Sequence, residues 1–157
     1  MSQSRVYKGY SLWIINGVPT FQTWDGIRNS PYRASSNVQH NLNQWNHLVG
    51  TFDGSTIRIY VNGQDRGSAP SGKIGIPATY NLAIGGMGMS PSAYNINGII
   101  DEVEISNRAI SASEVLAHYN AGKAKHANYD PNGKFQGAIK FNGNQYVTIP
   151  DSPSLRA

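Results

Sequence analysis

Asp101, Glu102 and Glu104 form the densest acidic run in the chain. Retaining glycoside hydrolysis uses two carboxyl groups about 5 Å apart. On an extended strand Glu102 and Glu104 share a face, because side chains alternate, and Val103 stands between them. That spacing is also what solvated acids on a structural strand present. His47 sits in an alternating stretch with no Ser or Cys partner in view, so it reads as a packed histidine. His40, His118 and His126 lack the spacing of a metal-ligand set. Gly85-Gly86-x-Gly88 opens no helix, so it reads as a turn rather than a phosphate cradle. No catalytic residue is assigned on these grounds.

Aromatic rings offer different chemistry. Pyranose faces stack on aromatic side chains, and sugar hydroxyls take hydrogen bonds from amides and hydroxyls. Trp13, Trp24 and Tyr94 are the carbohydrate-binding candidates, with Tyr32 and Tyr60 also available. Trp45 reads as core packing. Trp13 and Trp24 flank one predicted hairpin and can face either way. Tyr94 lies in a glycine-rich loop, where a tyrosine can also simply pin its loop.

Bulk composition limits the partners. The 157 residues suit one domain. Charged residues are only 14% of the chain, against about 25% in an average soluble domain. The net charge of +4 reflects few acids rather than basic clusters. Lys123, Lys125 and His126 follow a predicted helix and compensate its dipole. No basic stripe with interleaved aromatics marks a nucleic-acid surface. There is no cysteine, hence no disulfide or thiolate site. No apolar run approaches the roughly 20 residues of a membrane span. Met1–Arg5 has no apolar core, so a secretory leader is expected elsewhere.

The elements that position these residues are mostly strands. Residues 10–16 and 18–24 are β-branched and aromatic, and Asn16-Gly17 between them predicts a type I′ hairpin. Residues 27–44 carry few signals beyond Val38. Trp45–Phe52 alternates, Asp53-Gly54 turns the chain, and Ile57, Ile59 and Val61 share one face opposite Arg58 and Tyr60. Residues 64–77 read as a loop, Tyr80–Ile84 as a strand, 86–95 as a loop and Gly98–Ile105 as a strand. Ser111 and Glu114 make a capping box for a helix near 111–121, with Val115, Leu116 and Tyr119 on its apolar side and Gly122 past its end. Two last strands flank Asn142-Gly143. About nine strands and one helix predict an all-β, two-sheet antiparallel jelly-roll sandwich.

Four blocks go further: Trp45-x-His47-Leu48-Val49-Gly50-Thr51-Phe52-Asp53-Gly54, Ile59–Gly63, Ile84-Gly85-Gly86, and Gly98–Ser111 with its Asp101-Glu102-Val103 core. They resemble the laminin-G-like and pentraxin-like group of concanavalin A-like domains, in family order. Gly137–Pro150 is also similar to that family, but to its first strands. The resemblance therefore implies a permuted or out-of-phase chain: 1–122 as the main body, 123–136 as linker, and 137–157 as a strand pair serving this domain or a neighbour's. A sandwich short of strands has open edges, which predicts a homo-oligomer or a tandem neighbour paired through them.

The resemblance also implies a structural Ca²⁺, with Asn142 and Gly143 giving carbonyl oxygens and Asp101 a carboxylate, the oxygen ligands a hard cation prefers. Laminarinase-type relatives carry Glu-x-Asp-x-Glu; here Glu102-Val103-Glu104 departs from that motif, with only two acids at its spacing, which argues against hydrolysis. The function implied is a non-catalytic module that binds a glycan or surface polysaccharide in an extracellular or cell-surface protein. The rival reading is a self-assembling or decoration domain of a filament, surface layer or virion.

Overall fold

The computed structural model describes residues 7–75, 81–86, 94–125 and 139–150. They form β1 (Lys8–Ile15), β2 (Val18–Asp25), β3 (Tyr32–Ser35), β4 (Leu48–Phe52), β5 (Thr56–Val61), β6 (Gln64–Pro70), β7 (Leu82–Ile84), β8 (Asn97–Ile100), α1 (Ala112–Lys125), β9 (Ile139–Asn142) and β10 (Val147–Ile149). Every strand pairing is antiparallel, as expected for an all-β sandwich of this class. The chain divides into two compact units, Met1–Pro77 with Arg108–Pro131, and Ala78–Asn107 with Asn132–Ala157.

The first unit holds two three-stranded sheets, β1-β2-β3 and β4-β5-β6. Asn16 and Gly17 both take positive φ, 51° and 82°, so the β1–β2 connection is the tight turn that Asn-Gly predicts. Asn62 and Gly63 do the same between β5 and β6, at 53° and 79°. The Asn62 side chain also accepts the His47 amide at 2.9 Å, which ties the entry of β4 to that turn. In β5 Ile57, Ile59 and Val61 are buried and pack with Phe21 and Ala34 between the sheets, as expected, but Tyr60 on the other face is buried as well and is not an open ring. A Cβ on Gly50 would lie 2.2 Å from the Phe21 ring, so the ring rests directly on the β4 backbone.

The sheets converge on one side. Asn37 N–H donates to the Arg66 carbonyl at 2.9 Å. A Cβ on Gly67 would come 2.2 Å from the Ser35 carbonyl oxygen. β1 and β4 are the outer strands of their sheets among the described residues. Before α1, Ser111 N–H donates to Glu114 at 2.8 Å and Glu114 N–H donates to Ser111 Oγ at 3.2 Å, which is the predicted capping box. Val115 is buried, and Leu116 and Tyr119 approach Gly63.

In the second unit β10 pairs with β7 and β9 with β8. The segment that resembles the first strands of the family thus pairs with strands of its own chain. Phe141 is buried and its ring sits on Gly85, which has φ 85° and no room for a Cβ.

Several expected boundaries move. The strand read from Trp45 begins at Leu48, after the bond between His47 and Asn62. The polar stretch 27–44 contains β3, and the stretch read as a loop from 64 contains β6. The strand read as Gly98–Ile105 stops at Ile100, because Glu102 has φ 53° and leaves the extended region. The helix runs through Gly122 to Lys125. Tyr80, residues 87–93 of the glycine-rich loop, His126 with the rest of the linker to 136, and residues 151–157 lie outside the described residues.

Candidate functional site

The β1–β2 register decides which way the tryptophans point. Trp13 stands opposite Thr20, Ser11 opposite Gln22, and Gly9 opposite Trp24. Directly opposed residues share a face. β3 extends the rows, with Ser35 beside Thr20 and Arg33 beside Gln22. The alternate row Leu12–Phe21–Ala34 carries core residues, so it faces inward. The outer face therefore presents Ser11, Trp13, Thr20, Gln22, Trp24, Arg33 and Ser35 together.

Its geometry is ordered. Trp13 Nε1 donates to Ser11 Oγ, which holds the indole along its own strand. Thr20 Oγ1 donates to Ser35 Oγ at 3.3 Å across the β2–β3 pair. Thr20 and Gln22 form a buried polar floor, Trp13 and Trp24 are half-buried, and Arg33 and Ser35 are exposed. At the far end Trp24 meets Tyr7 with ring centroids 6.3 Å apart. The turn after β2 is fixed by Asp25, whose Oδ1 accepts the amides of Ile27 and Arg28 at 2.8 and 2.9 Å. Those amides, Arg28 first, hold the Asp25 carboxyl below its ordinary pKa. The Arg28 guanidinium lies 4.6 Å from the centre of the Tyr32 ring. Two indole rings thus share one face of the sheet, with the buried Thr20 and Gln22 beneath it.

The other candidates lie elsewhere. Tyr94 belongs to the second unit, is 72% exposed and has φ 65°. The implied calcium ligands are not brought together. Asn142 pairs with Asn97, whereas Asp101 follows Ile100, which pairs with Ile139 at the opposite end of the ladder. Three residue steps along β9 span about 10 Å, too far for one ion's ligands at 2.3–2.6 Å. Asp101 Oδ1 accepts the Glu102 amide at 2.8 Å, and Asn142 Oδ1 accepts the Asn144 amide at 3.1 Å. The residues present do not fit the ion. Among the described residues no cluster of three or more His, Cys, Asp or Glu suits a metal. Glu102 and Glu104 also lose their common strand face, since both lie beyond β8.

Ser11, Thr20, Gln22, Arg33 and Ser35 were not singled out by residue type. The Asn16-Gly17 turn implied the β1–β2 rows, because a two-residue hairpin fixes its register. Nothing comparable announced β3.

Two antiparallel sheets packed over an apolar interior define a lectin-type β-sandwich. Residues 1–116 match the family model described as the concanavalin A-like lectin/glucanases superfamily, and the chain belongs to that family. It is 33% identical over 87 residues to adhesion G-protein coupled receptor D1 of Homo sapiens, a match covering 53% of this chain and 10% of the receptor. It thus spans about a tenth of that relative. A solved structure of an S-layer domain-containing protein from Clostridium thermocellum ATCC 27405 aligns with a TM-score of 0.41 at 21% identity, covering 66% of this chain and 52% of that one. No helix among the described residues is long and apolar enough to cross a membrane.

Proposed function

We propose that this chain is a non-catalytic carbohydrate-binding and adhesion module of an extracellular or surface-displayed protein. Its glycan platform is the outer face of β1-β2-β3. The observation that carries this reading is the register that sets Trp13 and Trp24 on one face around Ser11 and Gln22. Indoles stack on pyranose faces, and the exposed Arg33 and Ser35 supply hydrogen-bond donors beside them, while the buried Thr20 and Gln22 only underlie the face. The adhesion receptor relative agrees with a surface role. The non-catalytic part rests on the acids: Glu102 and Glu104 follow the end of β8 rather than projecting side by side from a strand.

A glycan array probed with the intact chain tests the proposal. Binding to at least one polysaccharide class is expected, with Trp13→Ala weakening it about tenfold or more. An array without binding would contradict it. Turnover of laminarin or agarose that Glu104→Gln abolishes would replace it with a hydrolase.

A further inference from the structure

We propose that β1 is a homotypic docking strand, pairing antiparallel with β1 of a second copy about a twofold axis at Leu12. Among the described residues β1 is bonded on one side only, to β2. Its inward face leaves Tyr10, Leu12 and Ile14 at 38%, 45% and 36% exposure, beyond the rows that pack on the second sheet. Soluble proteins protect such edges with charges, prolines or bulges. From Gly9 to Ile15 this strand has no charge and no proline.

The strand is its own best complement. Only registers in which the paired residue numbers sum to an even value keep both inward faces on one side of the joined sheet. Pairing about Leu12 engages the regular stretch Tyr10–Ile14, short of Gly9, whose φ of 103° leaves the extended region. It sets Tyr10 against Ile14 of the second copy and Leu12 against Leu12. It sets Lys8 against Asn16, so the two lysines stay apart. The result is one continuous six-stranded sheet that joins two outer faces, with each Trp13 opposite the other copy's Ser11. Two strand edges and six half-exposed apolar side chains bury no more than roughly 1,200 Å², the low end for specific complexes, so the dimer is reversible and concentration-dependent. The pairing needs no glycan and stands independently of the platform.

The unmodified chain tests it first, by sedimentation over a wide concentration range; a monomer–dimer equilibrium that Leu12→Lys abolishes is expected. Cross-linking then tests the register, because the chain has no cysteine of its own. Opposed Cα atoms in an antiparallel pair are about 4.5–5.5 Å apart, within reach of a disulfide. Leu12→Cys should form a linked dimer under mild oxidation. Tyr10→Cys alone should not, since those positions lie about 13 Å apart across the axis, whereas Tyr10→Cys mixed with Ile14→Cys should link. A monomer at every concentration would overturn the proposal. So would equal linking of Leu12→Cys and Tyr10→Cys, or a dimer unaffected by Leu12→Lys.

Discussion

At the scale of single residues, the platform and the helix start are held by hydrogen bonds that can be removed one at a time. Glu114 is the sharpest case. The Arg108 guanidinium, 3.0 Å from its carboxylate, and the Ser111 backbone amide lower its pKa from 4.5 to about 2. The folded value lies below the unfolded one, so the ionised carboxylate favours folding. Its contribution is full above about pH 4.5 and is lost as pH falls through about 2. Glu114→Gln should therefore melt lower than the parent chain at neutral pH, with the gap closing toward pH 2. A gap that stayed constant with pH would assign the loss to packing instead. This capping box was legible from Ser111-x-x-Glu114 alone, because its chemistry is local. The facing of Trp13 and Trp24 was not read from residue type; it emerges once Asn16-Gly17 is taken as fixing the rows.

At the scale of elements, strands with strong alternation were visible, and strands shaped by their neighbours were not. Ile57, Ile59 and Val61 announce β5 because each fills the core. β6 hides in a Gly- and Ser-rich stretch because it runs where the sheets converge. Gly67 there lies against the Ser35 carbonyl, where a Cβ would come within 2.2 Å of the oxygen, so that position takes glycine. β8 was read too long because alternation continues in the sequence through Ile105, whereas the backbone turns at Glu102. The same close packing predicts large effects from small changes. Gly50→Ala would drive a methyl into the Phe21 ring, 2.2 Å away, and should destabilise the first unit by about 1–3 kcal/mol. Ile59→Ala should cost about 2–5 kcal/mol by leaving a cavity at a fully buried site. Urea denaturation measures both, and near-neutral values would show that the sheets do not pack as described.

At the scale of the whole molecule, the family resemblance foresaw the sandwich class but not where its implied ligands would lie. Asp101 and Asn142 sit at opposite ends of the β8–β9 ladder, so millimolar calcium should leave the melting temperature unchanged. A rise of several degrees, reversed by chelator, would mean that these residues do close on an ion. The central claim is that a glycan binds the outer face of β1-β2-β3. The chain has three tryptophans, and each gives its own indole N–H resonance. Titrating the intact chain with a polysaccharide selected on the array, while following those resonances by NMR, tests the claim most directly. The account predicts that Trp13 and Trp24 shift together and saturate while Trp45, outside the platform, stays in place. Saturable binding that moves Trp45, or that leaves Trp13 and Trp24 unmoved, would contradict it.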